Sequence, residues 1–150
     1  PTVEPSSDLR ITITGTGGGE TRTALMRLTP AFQSSSAFTI VGDLGNDICL
    51  IKNSGGDLDC RLFVTNPPGN AFFLWTFSVG GGATAEHDSS DPATKPEDGC
   101  GFLGGYSVST DGNGDKFVVM TITLRIQTSS GVSNPASRTV NVYTQNYCGY

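Results

Sequence analysis

Apolar and polar residues alternate along much of the chain, and the alternation is most regular between Val118 and Ile126. Every second residue there is Val, Met, Ile or Leu, and most residues between them are Thr or Arg. A period of two predicts a β-strand that buries one face. Shorter strands are predicted at residues 9–13, 23–29, 38–41, 57–65, 105–109 and 139–142. No segment has a helical period, so the pattern predicts an all-β fold.

The aromatic segment Phe72–Phe77 is predicted to be the strand around which the others are arranged. It contains the single tryptophan and three of the eight phenylalanines, and Pro and Gly residues bound it on both sides, as expected of a buried strand. Trp75 should lie between the apolar faces of segments 58–64 and 120–126. Phe72 and Leu74 face the other way, so we expect the N-terminal strands or another molecule to cover them. The predicted core residues are Trp75, Phe73, Phe77, Leu62, Ile122 and Leu124.

The composition agrees with one all-β domain. Charged residues make up 15% of the 150 residues, and the 20 Gly and 8 Pro residues supply many turns. We expect a single domain over residues 1–150, with a strand extension at 1–45 and a core at 46–150. The net charge of −5 and the scattered Lys and Arg residues disfavour nucleic acid and an anionic membrane surface as partners. No apolar run reaches the ~18 residues that a membrane-spanning helix needs.

Four cysteines without C-x-x-C spacing predict a disulfide framework and an oxidising compartment, so we expect a secreted or cell-surface protein. The turn sequence Asn53–Gly56 predicts a hairpin with a four-residue loop. That loop brings three pairs into register: Lys52 with Asp57, Ile51 with Leu58, and Cys49 with Cys60. A Cys49–Cys60 disulfide follows from this register, and elimination then pairs Cys100 with Cys148. Four cysteines allow three connectivities, and the other two stay open.

Residues 57–143 resemble a PKD-type immunoglobulin-like module in three segments. Asp57–Asn66 resembles its second strand, and Phe73–Gly81, with a W-x-F-x-x-G pattern, resembles its tryptophan strand. Met120–Ile126, together with Gly131 and Thr139–Val142, resembles its closing hairpin. The resemblance implies an antiparallel immunoglobulin-like β-sandwich, here extended by N-terminal strands. It also implies an extracellular spacer, adhesion or polymer-contacting role without catalytic residues.

The chain departs from the PKD pattern in two places. Ser78-Val79-Gly80 replaces the acidic residues that usually follow the phenylalanine, and the polar segment 83–101, predicted to be a loop, is longer than expected and contains Cys100. An antibody-type domain is disfavoured because the strand that would face Cys60 offers Met120 and Ile122 and no cysteine.

The acidic sequence Asp111–Asp115 has two interpretations. Asp111, Asn113 and Asp115 space oxygen ligands as the start of a calcium loop does. An EF-type loop also needs an acidic residue about seven positions later, where Ile122 stands. Asp and Gly are equally typical of tight turns, and a bare hairpin turn is the favoured interpretation. Calcium is the one cofactor that remains a candidate.

Two other polar segments are candidates for chemistry. Glu86–Asp91 holds the single histidine beside acids and serines, but neighbours in one loop rarely converge into a catalytic triad. A solvated loop is therefore the favoured interpretation, and a cation site is the alternative. Gly15–Gly19 is rich in glycine but is not followed by the Lys-Ser/Thr of a P-loop, so it predicts a hairpin turn. We therefore expect no enzymatic activity.

Two functions agree with these features. The first is a structural or adhesion module, such as a filament subunit, whose partners are copies of itself or neighbouring domains. Leu9, Ile11 and Ile13 form an alternating strand near a Pro-rich terminus and are the predicted interface for β-strand addition. The alternative is a carbohydrate-binding module attached to a secreted hydrolase. Its candidate residues for stacking on an extracellular polysaccharide are Tyr106, Tyr143, Tyr147 and Tyr150.

Overall fold

The computed structural model describes residues 9–17, 20–28, 37–80, 82–104 and 107–149, with the backbone alone described before residue 37. Strands dominate, and there is one short helix among the described residues. The elements are β1 (Leu9–Gly17), β2 (Glu20–Leu28), β3 (Phe38–Gly42), β4 (Gly45–Asn46), β5 (Ile48–Leu50), β6 (Arg61–Val64), β7 (Phe72–Val79), β8 (Thr84–Ser89), β9 (Ala93–Thr94), α1 (Cys100–Leu103), β10 (Val108–Thr110), β11 (Lys116–Thr128), β12 (Gly131–Val132) and β13 (Ala136–Tyr143).

Two packed sheets form the body of the protein. The larger sheet has the order β5-β13-β11-β7-β8, with β10 and β12 also paired to β11, and the smaller has the order β4-β3-β6-β9. The β13–β5 pair is parallel, and the other pairs are antiparallel. The prediction of an all-β sandwich is therefore confirmed. The finer prediction of an immunoglobulin-like arrangement stays a prediction.

The core lies between the two sheets, on the faces that the alternation predicts. The six predicted core residues are all buried, because each occupies an inward position of β6, β7 or β11. Trp75 is 1% exposed and pairs with Leu124 within the larger sheet. Its ring meets Phe38 of the smaller sheet edge-on, with ring centroids 5.2 Å apart. The indole is thus in the predicted layer, but β7 and β11 are neighbours in one sheet and do not face each other.

The N-terminal segment divides between two sheets. β3 falls within the predicted extension 1–45, yet it pairs with β6 and buries Phe38 and Ile40, so the sandwich already includes residue 38. β1 and β2 form a separate two-stranded antiparallel sheet. Its register runs from Leu9 opposite Leu28 to Gly17 opposite Glu20. The pairing agrees with the predicted hairpin, but β1 continues to Gly17, so the first three residues of the predicted turn Gly15–Gly19 belong to the strand, and residues 18–19 lie outside the described residues.

The prediction that residues 83–101 form a loop is wrong. This segment contains β8, which pairs with β7, as well as β9 and the start of α1. β8 lies at the edge of the larger sheet, where its outward residues Glu86 and Asp88 are exposed and its inward residues are only half-buried. An edge strand of this kind does not require apolar residues at alternate positions, so its sequence carried no periodic signal.

Both predicted disulfides are confirmed. Cys49 of β5 is bonded to Cys60, which directly precedes β6, so the buried bridge connects the two sheets. The predicted hairpin register holds, because Ile51 pairs with Leu58 and the N–H of Lys52 donates to the carbonyl of Asp57 at 2.8 Å. Two disulfides are typical of proteins from oxidising, extracellular environments.

The second disulfide bonds Cys100 of α1 to Cys148 near the C-terminus, 48 residues later. Both cysteines are half-buried, in contrast to the fully buried first pair. None of the described helical residues forms a helix long and apolar enough to span a bilayer.

Candidate functional site

The sequence Asp111–Asp115 forms the turn between β10 and β11, as the hairpin interpretation predicted. One carboxylate oxygen of Asp111, Oδ1, accepts hydrogen bonds from the backbone N–H groups of Asn113 at 2.9 Å and Asp115 at 3.0 Å. The Asp111 N–H in turn donates to the carbonyl of Asp115 at 3.0 Å. The bond from the Asp115 N–H is the main reason why the pKa of Asp111 lies below its ordinary value. The carboxylate is therefore ionised and closes the turn.

A cleft of about 460 Å³ opens beside this turn. It is assembled from four separate segments: the loop after β3, strand β5, the turn itself and the C-terminal end of β13 with the residues that follow. Its lining contains an apolar and a polar group of side chains, called here the apolar wall and the polar wall, which adjoin at the cross-strand partners Leu50 and Tyr143. The side chains used below are Leu44, Ile48 and Leu50 on the apolar wall and Asp111, Asp115, Lys116, Tyr143 and Asn146 on the polar wall.

Tyr143 connects the turn to the cleft. Its hydroxyl donates to Oδ2 of Asp111 at 3.3 Å, and its ring lies beside that of Phe117, its cross-strand partner, with centroids 5.5 Å apart. Partial burial raises the pKa of Tyr143, and the negative charge of Asp111 raises it further. Leu50 is the partner of Tyr143 on the other side. The row Leu50, Tyr143, Phe117 therefore crosses three strands on the outer face of the larger sheet.

Tyr147, the other described tyrosine among those proposed for polysaccharide stacking, is not among the residues that line the cleft. Tyr147 packs against the hydrophobic core, and its N–H donates to the carbonyl of Thr144 at 2.8 Å. Tyr106 and Tyr150 lie outside the described residues. Of the two candidates that the structure describes, Tyr143 is the one that combines a half-buried ring with a hydrogen-bonded hydroxyl in a cleft.

The residues 86–91 are not brought together as a catalytic group. His87 is at an inward position of β8, where Nε2 contacts Glu97 Oε2 at 2.5 Å and the imidazole meets the ring of Phe77 edge-on. Ser89 Oγ accepts from the N–H of Asp91 at 2.9 Å, which closes the turn after the strand. The serine and the histidine thus have different partners, and the two acids at outward positions face away from both.

The calcium prediction for Asp111, Asn113 and Asp115 stays a prediction. Both oxygens of Asp111 already accept hydrogen bonds, which leaves Asp115 as the carboxylate of the turn best placed to bind a cation. Elsewhere in the described part of the chain, three potential metal ligands come close together at Cys49, Asp59 and Cys60. The two sulfur atoms of that group are bonded to each other and are not free to ligate.

The outer face of the larger sheet carries small hydroxyl residues at its centre. Thr121 pairs with Thr139 on one side and with Ser78 on the other. In the next row the hydroxyls of Thr123 and Ser137 are 2.7 Å apart. The predicted interface residues Phe72 and Leu74 lie at the far end of this face from the cleft. Phe72 is 55% exposed and Leu74 is half-buried.

The predicted interface residues Leu9, Ile11 and Ile13 lie in β1, where the structure describes the backbone alone. Their Cα partners in β2 are Leu28, Met26 and Ala24, so the apolar positions of the two strands are opposite each other. The predicted interface positions are thus found at two places, one on the separate hairpin and one on the outer face of the sandwich.

The apolar wall and Lys116 of the cleft were not predicted from the sequence. The wall residues come from a short loop and from a three-residue strand that pairs in parallel with β13, and neither segment has a clear period. One signal was present: Ile48 and Leu50 flank Cys49, so both faces of that strand are apolar. This indicates that the side of β5 facing away from the core is also partly covered.

Comparison of the chain with protein-family models, curated proteins and solved structures found no match in any of the three. The resemblance of residues 57–143 to a PKD-type module therefore stays a prediction.

Proposed function

We propose that the protein is a non-catalytic extracellular module of a structural or adhesive kind, whose copies associate through β1 and β2 by β-strand addition. The observation that carries the proposal is the two-stranded sheet itself. Each strand is nine residues long, and each has one edge that no other strand occupies among the described residues. Such an isolated hairpin is only marginally stable in water, and a third strand makes it much more stable.

The sandwich edges are less suited to strand addition. β8 presents exposed Glu86 and Asp88, and charge on an edge strand opposes pairing with another chain. The remaining edges are short: β5 has three residues, and β4 and β9 have two each. β1, in contrast, alternates Leu9, Ile11 and Ile13 with polar residues. Among the strands that the structure describes, those of the hairpin therefore have the longest open edges.

Secretion and a mechanical role belong to the same proposal. The two disulfides support an extracellular location, and they would hold the sandwich together while load passes through a hairpin shared between copies. A PKD-type identity would agree with this role. The sandwich would serve as the rigid body of each subunit, and the hairpin would serve as the connection.

The test is the native mass of the chain with and without the hairpin. A variant that lacks residues 1–28 should be a monomer that melts as one cooperative unit, whereas the full chain should form dimers or longer assemblies. Thr12→Pro should weaken association because proline removes a ladder N–H, and the matched control Thr12→Ser should not. A full chain that stays monomeric at high concentration, or a deletion variant that still assembles, would contradict the proposal.

The alternative function, carbohydrate binding, is supported by one surface feature. Trp75 cannot stack on a sugar because its indole is buried in the core. The cleft at Tyr143 is the place where an aromatic residue and polar groups meet at the surface.

A further inference from the structure

We infer that the cleft beside the Asp111–Asp115 turn binds one unit of a neutral extracellular saccharide. This inference goes beyond the proposed assembly and does not depend on it, because the described residues that line the cleft belong to the sandwich and its loops. Its volume of about 460 Å³ falls within the ~300–1,000 Å³ that is typical of small-ligand sites.

The two walls of the cleft match the two kinds of surface on a pyranose ring. Leu44, Ile48 and Leu50 offer aliphatic surface for its C–H groups. The polar wall supplies the carboxylate of Asp115, which accepts hydrogen bonds, and the ammonium of Lys116, which donates them. The side-chain amide of Asn146 does both. Because a sugar hydroxyl also both donates and accepts, this mixture can satisfy several hydroxyls at once.

The charges in the cleft disfavour an anion, and a neutral ligand avoids unfavourable contact with either sign of charge. A phosphate or carboxylate would meet the negative charges of Asp111 and Asp115, and an amine or metal ion would meet the positive charge of Lys116. Asp111 is also less available to bind an ion, because its carboxylate already accepts hydrogen bonds from two backbone N–H groups and from the Tyr143 hydroxyl. A ligand without charge avoids both conflicts.

The cleft is also held in shape before any ligand arrives. The N–H of Thr144 donates to the carbonyl of Lys116 at 3.0 Å, which fixes the end of β13 against the start of β11. Beyond it, Gln145 and Asn146 have positive φ angles, and the Cys100–Cys148 disulfide anchors the chain two residues later. A preformed site of this kind loses little conformational entropy when it binds a small ligand.

The experiment is an NMR titration of the isotope-labelled full chain with the methyl glycosides of glucose, galactose, mannose and N-acetylglucosamine. At least one glycoside should shift the backbone signals of Asp115, Lys116 and Tyr143 in a saturable way, with no added calcium. Leu44→Ala should weaken that binding about tenfold, because Leu44 is 63% exposed and its aliphatic contact is the part that is lost. Val132→Ala, an exposed apolar residue outside the cleft, is the matched control and should leave binding unchanged.

A second pair of variants tests the polar wall. Asp115→Asn should weaken binding about tenfold through the loss of a charge-assisted hydrogen bond, and Asp88→Asn on the exposed edge strand should have no effect. The inference fails if no glycoside shifts these signals at about 10 mM, well above the Kd range of ordinary recognition. It also fails if calcium or inorganic phosphate alone shifts them while the glycosides do not, or if Leu44→Ala and Val132→Ala behave alike.

Discussion

Strands β11 and β8 belong to the same sheet and differ in almost every physical respect. β11 has thirteen residues, pairs with β7 on one side and β13 on the other, and buries Met120, Ile122 and Leu124 completely. β8 has six residues, pairs with β7 alone, and has no fully buried residue. The centre of the sheet thus contributes the free energy of burial, whereas its edge carries the exposed charges of Glu86 and Asp88, which oppose pairing with another chain.

The described part of the β1–β2 sheet resembles neither the buried central strand β11 nor the short edge strand β8. It has no strand paired on both sides, and both of its strands are nine residues long; β1 carries one charged residue, Arg10, whereas β2 carries Glu20, Arg22 and Arg27. Under the proposed assembly, stability and association therefore depend on separate parts of this chain. A substitution in β11 should change the free energy of unfolding, and a substitution at an edge should change which chains pair.

The largest effect is expected from Leu124→Ala in β11. Loss of a fully buried leucine should lower the free energy of unfolding by about 2–5 kcal/mol, because both transfer and cavity formation oppose the change. Thr84→Ala, at an exposed position of β8, should change the free energy of unfolding by no more than about 0.5 kcal/mol. Urea denaturation of both variants measures the contrast, and similar losses for the two would contradict it.

Removal of the peripheral disulfide should have the next largest effect. Cys100→Ala with Cys148→Ala should lower the free energy of unfolding by about 2–4 kcal/mol, mainly because the unfolded chain gains freedom. The core should remain intact, so the near-ultraviolet circular dichroism of Trp75 should be unchanged at temperatures where both proteins are folded. A loss of that signal would mean that the bridge supports the centre and not only the periphery.

A change of charge at the edge should alter association more than stability. Glu86→Val with Asp88→Val should leave the free energy of unfolding within about 1 kcal/mol of the original. The variant should associate through β8, because it removes the charges that protect the edge. Light scattering of the variant that lacks residues 1–28 isolates this effect from that of the hairpin. If the double variant remains monomeric when residues 1–28 are also absent, charge at Glu86 and Asp88 is not what prevents association through β8.

The smallest effect is expected from the turn before β11. The pKa of Asp111 is lowered by folding from an ordinary value of 3.8. The contribution of the ionised Asp111 carboxylate to the free energy of unfolding is therefore complete above pH 3.8. It is lost as the pH falls through the lower folded-state pKa. The melting temperature of the original protein should fall more steeply in acid than that of Asp111→Asn. Parallel pH profiles for the two proteins would contradict the assignment.

The sequence was sufficient to predict strands and their register where a strand buries only one face and its partners are close in the chain. The alternation in Val118–Ile126 located β11, and the turn at Asn53–Gly56 fixed the register that places Cys49 opposite Cys60. β8 escaped prediction because a half-buried edge strand needs no apolar period. The cleft escaped because Leu44, Lys116 and Tyr143 are distant in the sequence and meet only when β5 joins β13 and the Asp111–Asp115 turn lies beside them.

Hydrogen exchange of the full chain at low and high protein concentration tests the division of roles most directly. The account predicts that amides of β11 exchange slowly at both concentrations, because they are protected within each copy. Amides of residues 9–28 should become protected only at high concentration, and those of β8 should not change. Protection that appears in β8 on association, or no concentration dependence in residues 9–28, would contradict the account.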